Sequence, residues 1–180
     1  MVRKLRLNLP PAAGLAAVLL ALMIVPATAM SQERDTVERS LEQDIRERVD
    51  YVNRQLLVYP APPSLGRYQI DLLPGGKLTI DSWLSDSTTR HYEAYIEDIG
   101  SVNINIESRD PPYTTTLFVC KAGDCFVVRD NRGILSAKDR GGFDFAFDRR
   151  LARQIEKATQ ELLGLAMRDS TYGPPHSRDR

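Results

Sequence analysis

Two cysteines, Cys120 and Cys125, with four residues between them, lie at the facing ends of the strand-like runs Thr114 to Lys121 and Cys125 to Arg129. A two-residue turn at Ala122-Gly123 places them directly opposite each other on paired strands, at the non-hydrogen-bonded position where side chains come closest. The expected chemistry is oxidation to a disulfide, stapling a hairpin and constraining the unfolded chain by about 2 kcal/mol. The competing geometry is a three-residue turn with Gly123 in a bulge, which sets Cys120 opposite Asp124. A redox-active pair has two intervening residues instead of four. A zinc site needs about four ligands, and beyond the cysteines the chain offers only His91 and His176. Neither a metal nor a cofactor is expected.

Paired carboxylates are the next chemistry the residue types allow. Glu93 and Glu97 share one face of a strand-like run, with Asp98 beside them, and could converge with Asp81 or Glu107 from neighbouring strands. Such pairs do acid and base work in glycosidases. The preferred reading is plainer, a polar sheet face balanced by nearby bases. His91 is a candidate base, but a lone histidine at the polar start of a strand is more often solvated or hydrogen-bonded. No Gly-x-Ser-x-Gly elbow and no phosphate-cradling glycine loop occurs. No catalytic residue is assigned.

Positive charge gathers at Arg149, Arg150, Arg153 and Lys157, in the first turns of a helix whose macrodipole is already positive there. Each exposed charge so placed costs about 0.3–1 kcal/mol unless a carboxylate or a bound anion compensates it. Internal compensation through Asp144 and Asp148 is the preferred expectation. The alternative is an anion site for phosphate-bearing envelope material or for an acidic partner surface.

These residues are positioned by elements that the hydrophobic period announces. Val37, Leu41, Ile45, Val49, Val52 and Leu56 form one apolar stripe, predicting a helix from Asp35 to Leu57. Asp35 with Glu38 suggests a capping box, and Glu42–Arg46 and Asp44–Arg48 suggest four-residue ion pairs. Pro60, Pro62 and Pro63 end the helix and make a stiff linker. From Arg67 the period becomes two: Tyr68, Ile70 and Leu72, a turn at Pro74-Gly75-Gly76, then Leu78 and Ile80 predict a hairpin. Further strands are expected over Arg90–Asp98, around Val102–Ile106, at both cysteine-flanking runs, and at Phe143–Phe147 after a Gly141-Gly142 break. That makes about seven, with residues 131–142 ambiguous. Phe147, Leu151, Ile155, Ala158, Leu162 and Leu165 mark a final helix capped by Asp148. The tail after Met167, residues 169–180 in particular, is expected to be disordered.

The first residues bear on compartment. Arg3, Lys4 and Arg6 precede an uncharged apolar run from Ala12 to Val25, followed by Pro26 and Ala27-Thr28-Ala29. That is the layout of a secretory signal peptide, residues 1–29, cleaved after Ala29. The run is shorter than the roughly 20 residues a spanning helix needs. Removing it leaves 151 residues with 21 Lys and Arg against 24 Asp and Glu, a net charge of −3. One domain is therefore expected, periplasmic or secreted, with no stable membrane insertion. A slightly acidic chain lacks the field that draws proteins onto nucleic acid.

Seven short antiparallel strands running directly into one amphipathic helix resemble the pleckstrin-homology-like barrel, over Arg67 to Met167. The resemblance rests on element order, with Phe143–Phe147 leading into the Asp148-capped helix. The hydrophobic periods and the resemblance together give an expected α+β fold: an N-terminal helix over residues 30–66 with its linker, read from the periods alone, a curved antiparallel sheet or barrel over 67–168, and a C-terminal capping helix. The resemblance implies no activity, since such folds host many functions. Lipid-binding members use a basic loop between the first two strands, and here that loop, Pro74 to Lys77, holds one cation. The expected function is a non-enzymatic binding or adaptor module that recognises a protein or cell-envelope component, with inhibition of a secreted hydrolase as the runner-up in the same class. A carboxylate-dependent hydrolase acting on envelope glycans is the alternative.

Overall fold

The structure, a computed structural model, describes residues 27–84, 87–133, 135–169 and 171–172, with side-chain surroundings from residue 40 onward. All but the last three residues of the expected leader lie outside these. The chain divides into Met1–Val37 and Glu38–Arg180, and the architecture below belongs to the second unit. The first helix, α1, runs Ala27–Val58. It begins before Asp35, so the residue expected to open the helix lies within it. Ile45, Val49, Val52 and Leu56 are buried as their spacing requires. The Glu42–Arg46 pair forms, whereas Arg48 turns from Asp44 to Glu161, 3.0 Å from its Nε.

Among the described residues eight antiparallel strands make two sheets. β1 (Arg67–Leu73), β2 (Lys77–Trp83), β3 (Thr89–Tyr95), β6 (Phe126–Asp130) and β7 (Leu135–Lys138) form the larger, in the order β1-β2-β3-β6-β7. β4 (Ile99–Glu107), β5 (Tyr113–Cys120) and β8 (Arg140–Ala146) form the smaller, in the order β4-β5-β8. The sheets do not close into a barrel, and the curved-sheet form of the expectation holds. The final helix, α2, spans Arg149–Ala166 with Asp148 as its N-cap, whose carboxylate accepts from Leu151 N at 2.7 Å.

The hairpin turn holds Gly75 and Gly76 at φ 81° and 73°, backbone that only glycine adopts without strain. Gly76 has a second reason to be small, since a Cβ there would stand 2.5 Å from Tyr172 O. The chain beyond α2 is fastened to this turn: Gly75 N donates to Thr171 O at 2.7 Å, and Asp169 and Tyr172 are buried. The described part of the expected disordered tail is therefore ordered, because Tyr172 adds an aromatic side chain to the core.

Two further expectations change. The ambiguous stretch contains β7, whose alternation is hidden by Ser136 and Lys138 on its inner side. Gly141 and Gly142 are not a break but part of β8. A Cβ on Gly141 would meet the Phe126 ring at 2.6 Å, and one on Gly142 would meet Thr116 O at 2.1 Å. Glycine is needed there because a ring from the larger sheet lies on the backbone of the smaller. Phe118, Phe126, Phe143, Phe145, Ile80, Ile155 and Leu162, all essentially inaccessible, form the core between the sheets and α2. Burial of each such side chain contributes about 1.5–3 kcal/mol.

Candidate functional site

The cysteines form the expected disulfide, but not across a hairpin. Cys120 ends β5 in the smaller sheet, opposite Ile99 of β4, while Cys125 immediately precedes β6 in the larger. Thr114–Cys120 and Phe126–Arg129 are thus not paired strands. The turn between them carries the chain from one sheet to the other, and the bridge pins that crossing. Its role is structural, holding β3-paired β6 beside β4-paired β5.

The candidate carboxylates Asp81 and Glu93 lie in a charge-balanced row on the outer face of the larger sheet, the preferred of the two expectations. β2 and β3 place Asp81 opposite His91 and Thr79 opposite Glu93. His91 Nδ1 lies 2.6 Å from Asp81 Oδ1, His91 Nε2 lies 3.0 Å from Glu93 Oε1, and Lys77 Nζ donates to Glu93 Oε2 at 3.3 Å. Partial burial disfavours the charged imidazole, but the two carboxylates outweigh it and raise the His91 pKa. The hydrogen bond from His91, with Lys77 beside it, holds Glu93 below the ordinary carboxylate range. A general acid needs the opposite shift. Glu97 sits in the 3-10 turn Ile96–Asp98 and Glu107 in the other sheet, so neither joins Glu93.

The arginines present the reverse picture. Arg149, Arg150, Arg153 and Lys157 lie exposed along α2 and, with Gln154, line a shallow groove of about 450 Å³. The spacing of 149, 153 and 157 stacks three cations on one helical stripe, where like charges four apart repel. Neither acid expected to compensate them does so. Asp144 is held by Tyr68 Oη, which donates to Oδ2 at 2.7 Å, and by Thr115 Oγ1, which donates to Oδ1 at 2.6 Å. Burial beside that carboxylate drives the Tyr68 phenol pKa far up, so it remains a donor. Asp148 is engaged as the helix cap. Among the described residues Lys157 alone of the four has an ion pair, at 3.7 Å to Glu161.

An exposed apolar rim, which no apolar period announces, lies where the chain after α1 meets the end of β8 just before α2. Pro60 bridges Phe145, and Ala146 N donates to Tyr59 O at 3.1 Å, which brings the end of α1 against the start of α2. Leu57 and Val58 are 77% and 64% exposed, and Tyr59 and Phe147 are also exposed. Leu57 and Val58 share the helical face of exposed Arg54, three and four residues earlier. Phe147, which the spacing places on the apolar stripe of the final helix, instead precedes that helix and is exposed. The available signal was that Leu57-Val58-Tyr59 continues past Leu56, the last position the apolar period places inside.

Among the described residues no group of three or more His, Cys, Asp or Glu side chains gathers as a metal site, and no helix is long and apolar enough to cross a membrane. Comparison with protein-family models, curated proteins and solved structures returned no match.

Proposed function

We propose that this chain is an exported, non-enzymatic binding module that grips a phosphate-bearing component of the cell envelope. The observation that carries the proposal is the arginine face of α2: among the described residues Arg149, Arg150 and Arg153 have no acidic partner, although Asp144 and Asp148 are close in sequence and hold other donors. Guanidinium groups suit phosphate because their planar donors meet two oxygens at once. The rim of Leu57, Val58, Tyr59 and Phe147 suits an interface where headgroups meet acyl chains. Export is supported by the leader-like sequence and by the disulfide, a bond that persists in oxidising compartments. The proposal draws nothing from the resemblance to pleckstrin-homology-like domains, whose activities differ from member to member.

The test is flotation of the exported protein with vesicles of phosphatidylglycerol in phosphatidylcholine, against phosphatidylcholine alone. Binding to the first only, weakened by salt as screening requires, supports the proposal. Equal behaviour with both vesicles, or retention only on an acidic protein column, overturns it.

A further inference from the structure

Two sheets have four edges, and three of them are closed off. On β1, Asn53 from α1 donates its side-chain amide to Ile70 O and accepts from Ile70 N, both at 2.9 Å, while Asp71 Oδ1 accepts from Leu72 N. On β8, the linker bonds through Tyr59 and Pro60. β7 is only four residues long and ends on Lys138. Such devices are how proteins prevent a sheet edge from pairing with another chain.

β4 has neither such a bond nor such brevity; it carries a bulge at Ile99–Ser101, and α2 packs against the strand. Among the described residues no hydrogen bond, from backbone or side chain, reaches Val102 to Glu107 apart from the ladder to β5. Ile99 and Val102 are buried where the strand meets the core, whereas Asn103 and Asn105 are exposed and Ile106 is 48% exposed. Ile99–Glu107 contains no lysine, arginine or proline, and its one charge is the terminal Glu107. The open edge also reads alike in both directions: Val102-Asn103-Ile104-Asn105-Ile106 is apolar-Asn-Ile-Asn-apolar either way.

We infer that the β4 edge binds the β4 edge of a second copy of this chain, antiparallel about a two-fold axis through Ile104. That register sets Asn103 opposite Asn105 of the second copy and Val102 opposite Ile106 of the second copy, so apolar side chains share one face and amides the other. Glu107 meets Ser101 of the second copy, with no like charges opposed. An axis falling between residues would pair Asn with Ile and mix the faces, which disfavours it. The contact is isologous, so it closes at two copies instead of growing into a fibre. It joins the two three-stranded sheets into one of six strands, satisfying the bare backbone groups of both.

The experiment is sedimentation of the exported protein over a concentration series, with Ile106→Lys compared at matched circular dichroism and thermal midpoint. A concentration-dependent dimer whose dissociation constant rises at least about tenfold in the variant is expected, from lost cross-strand packing and a buried charge. The axis is located with single-cysteine variants, the Cys120–Cys125 bridge left intact. Ile104→Cys faces itself across the axis and should crosslink between chains on oxidation, much faster than Asn103→Cys, which faces Asn105. A monomer at every concentration overturns the inference, as does a dimer untouched by Ile106→Lys, or equal crosslinking at 104 and 103. Amide protection of 102–107 that appears only with a foreign extended peptide would assign the edge to another partner and also overturns it.

Discussion

At the centre of the larger sheet's outer face, Lys77 and His91 are matched to Asp81 and Glu93 at 2.6 to 3.3 Å, whereas among the described residues Arg149, Arg150 and Arg153 on α2 face no carboxylate within ion-pair reach. Both surfaces carry cations on regular elements, and both have acids close in sequence. The difference lies in where those acids point. Across β2 and β3 the ladder puts opposite charges directly opposite each other, which is the stabilising arrangement for a sheet. Around α2 the nearby acids are drawn to uncharged donors, Tyr68, Thr115 and Leu151 N, leaving the guanidinium groups open to solvent. A surface that cancels its own charge has little reason to bind ions, and one that does not has a field to offer.

The largest expected effect follows from removing that field. Changing Arg149, Arg150 and Arg153 together to Ala should weaken binding to phosphatidylglycerol vesicles about hundredfold, at about 1 kcal/mol per cation near an anionic surface. The same variant should be no less stable to urea, because three charges leave an unfavourable helix end. Unchanged vesicle affinity would erase the contrast between the two surfaces.

Asp144→Ala tests the opposite assignment. It leaves the half-buried Tyr68 and Thr115 hydroxyls without their acceptor and should cost about 1–3 kcal/mol of stability, read from the urea midpoint. Vesicle affinity should stay within about twofold, since no arginine loses a partner. A stable variant with altered affinity would mean that this carboxylate serves the arginine face after all.

The smallest effect belongs to the balanced row. The His91 pKa is raised in the folded protein, so its contribution is full below about pH 6.5 and fades as the pH rises through the folded-state value. The side chains are a third or more exposed, which limits the contribution to under about 1 kcal/mol. His91→Gln should therefore flatten the stability profile above about pH 6.5 while leaving vesicle binding alone. Parallel profiles for both proteins would show the row to be worth nothing.

Much of this molecule is written in its local patterns. The apolar period of four and three marks the helices ending at Val58 and starting at Arg149, and the period of two marks the Arg67–Trp83 hairpin, because each periodicity follows from the backbone geometry of one element. The exposed acids of β2 and β3 and the capping Asp148 were legible for the same reason. Which strands pair was not. Cys120 and Cys125 look like hairpin neighbours, yet β5 and β6 part into separate sheets, a decision made by packing among Phe118, Phe126 and Phe143 that no stretch of sequence contains. The disulfide forms in either arrangement, because five residues of separation keep the two sulfurs within reach whichever sheet each strand joins.

The arginine face divides along the same line. Residue type and helical spacing alone put Arg149, Arg153 and Lys157 on one stripe. Whether Asp144 neutralises them depends on Tyr68, 76 residues away in sequence, and the apolar rim depends on Tyr59 meeting Ala146. Local sequence determines what each element offers, because periodicity and capping act within a few residues. Only the tertiary structure decides which offers are taken up, because burial and long-range hydrogen bonds choose partners that the chain order does not name.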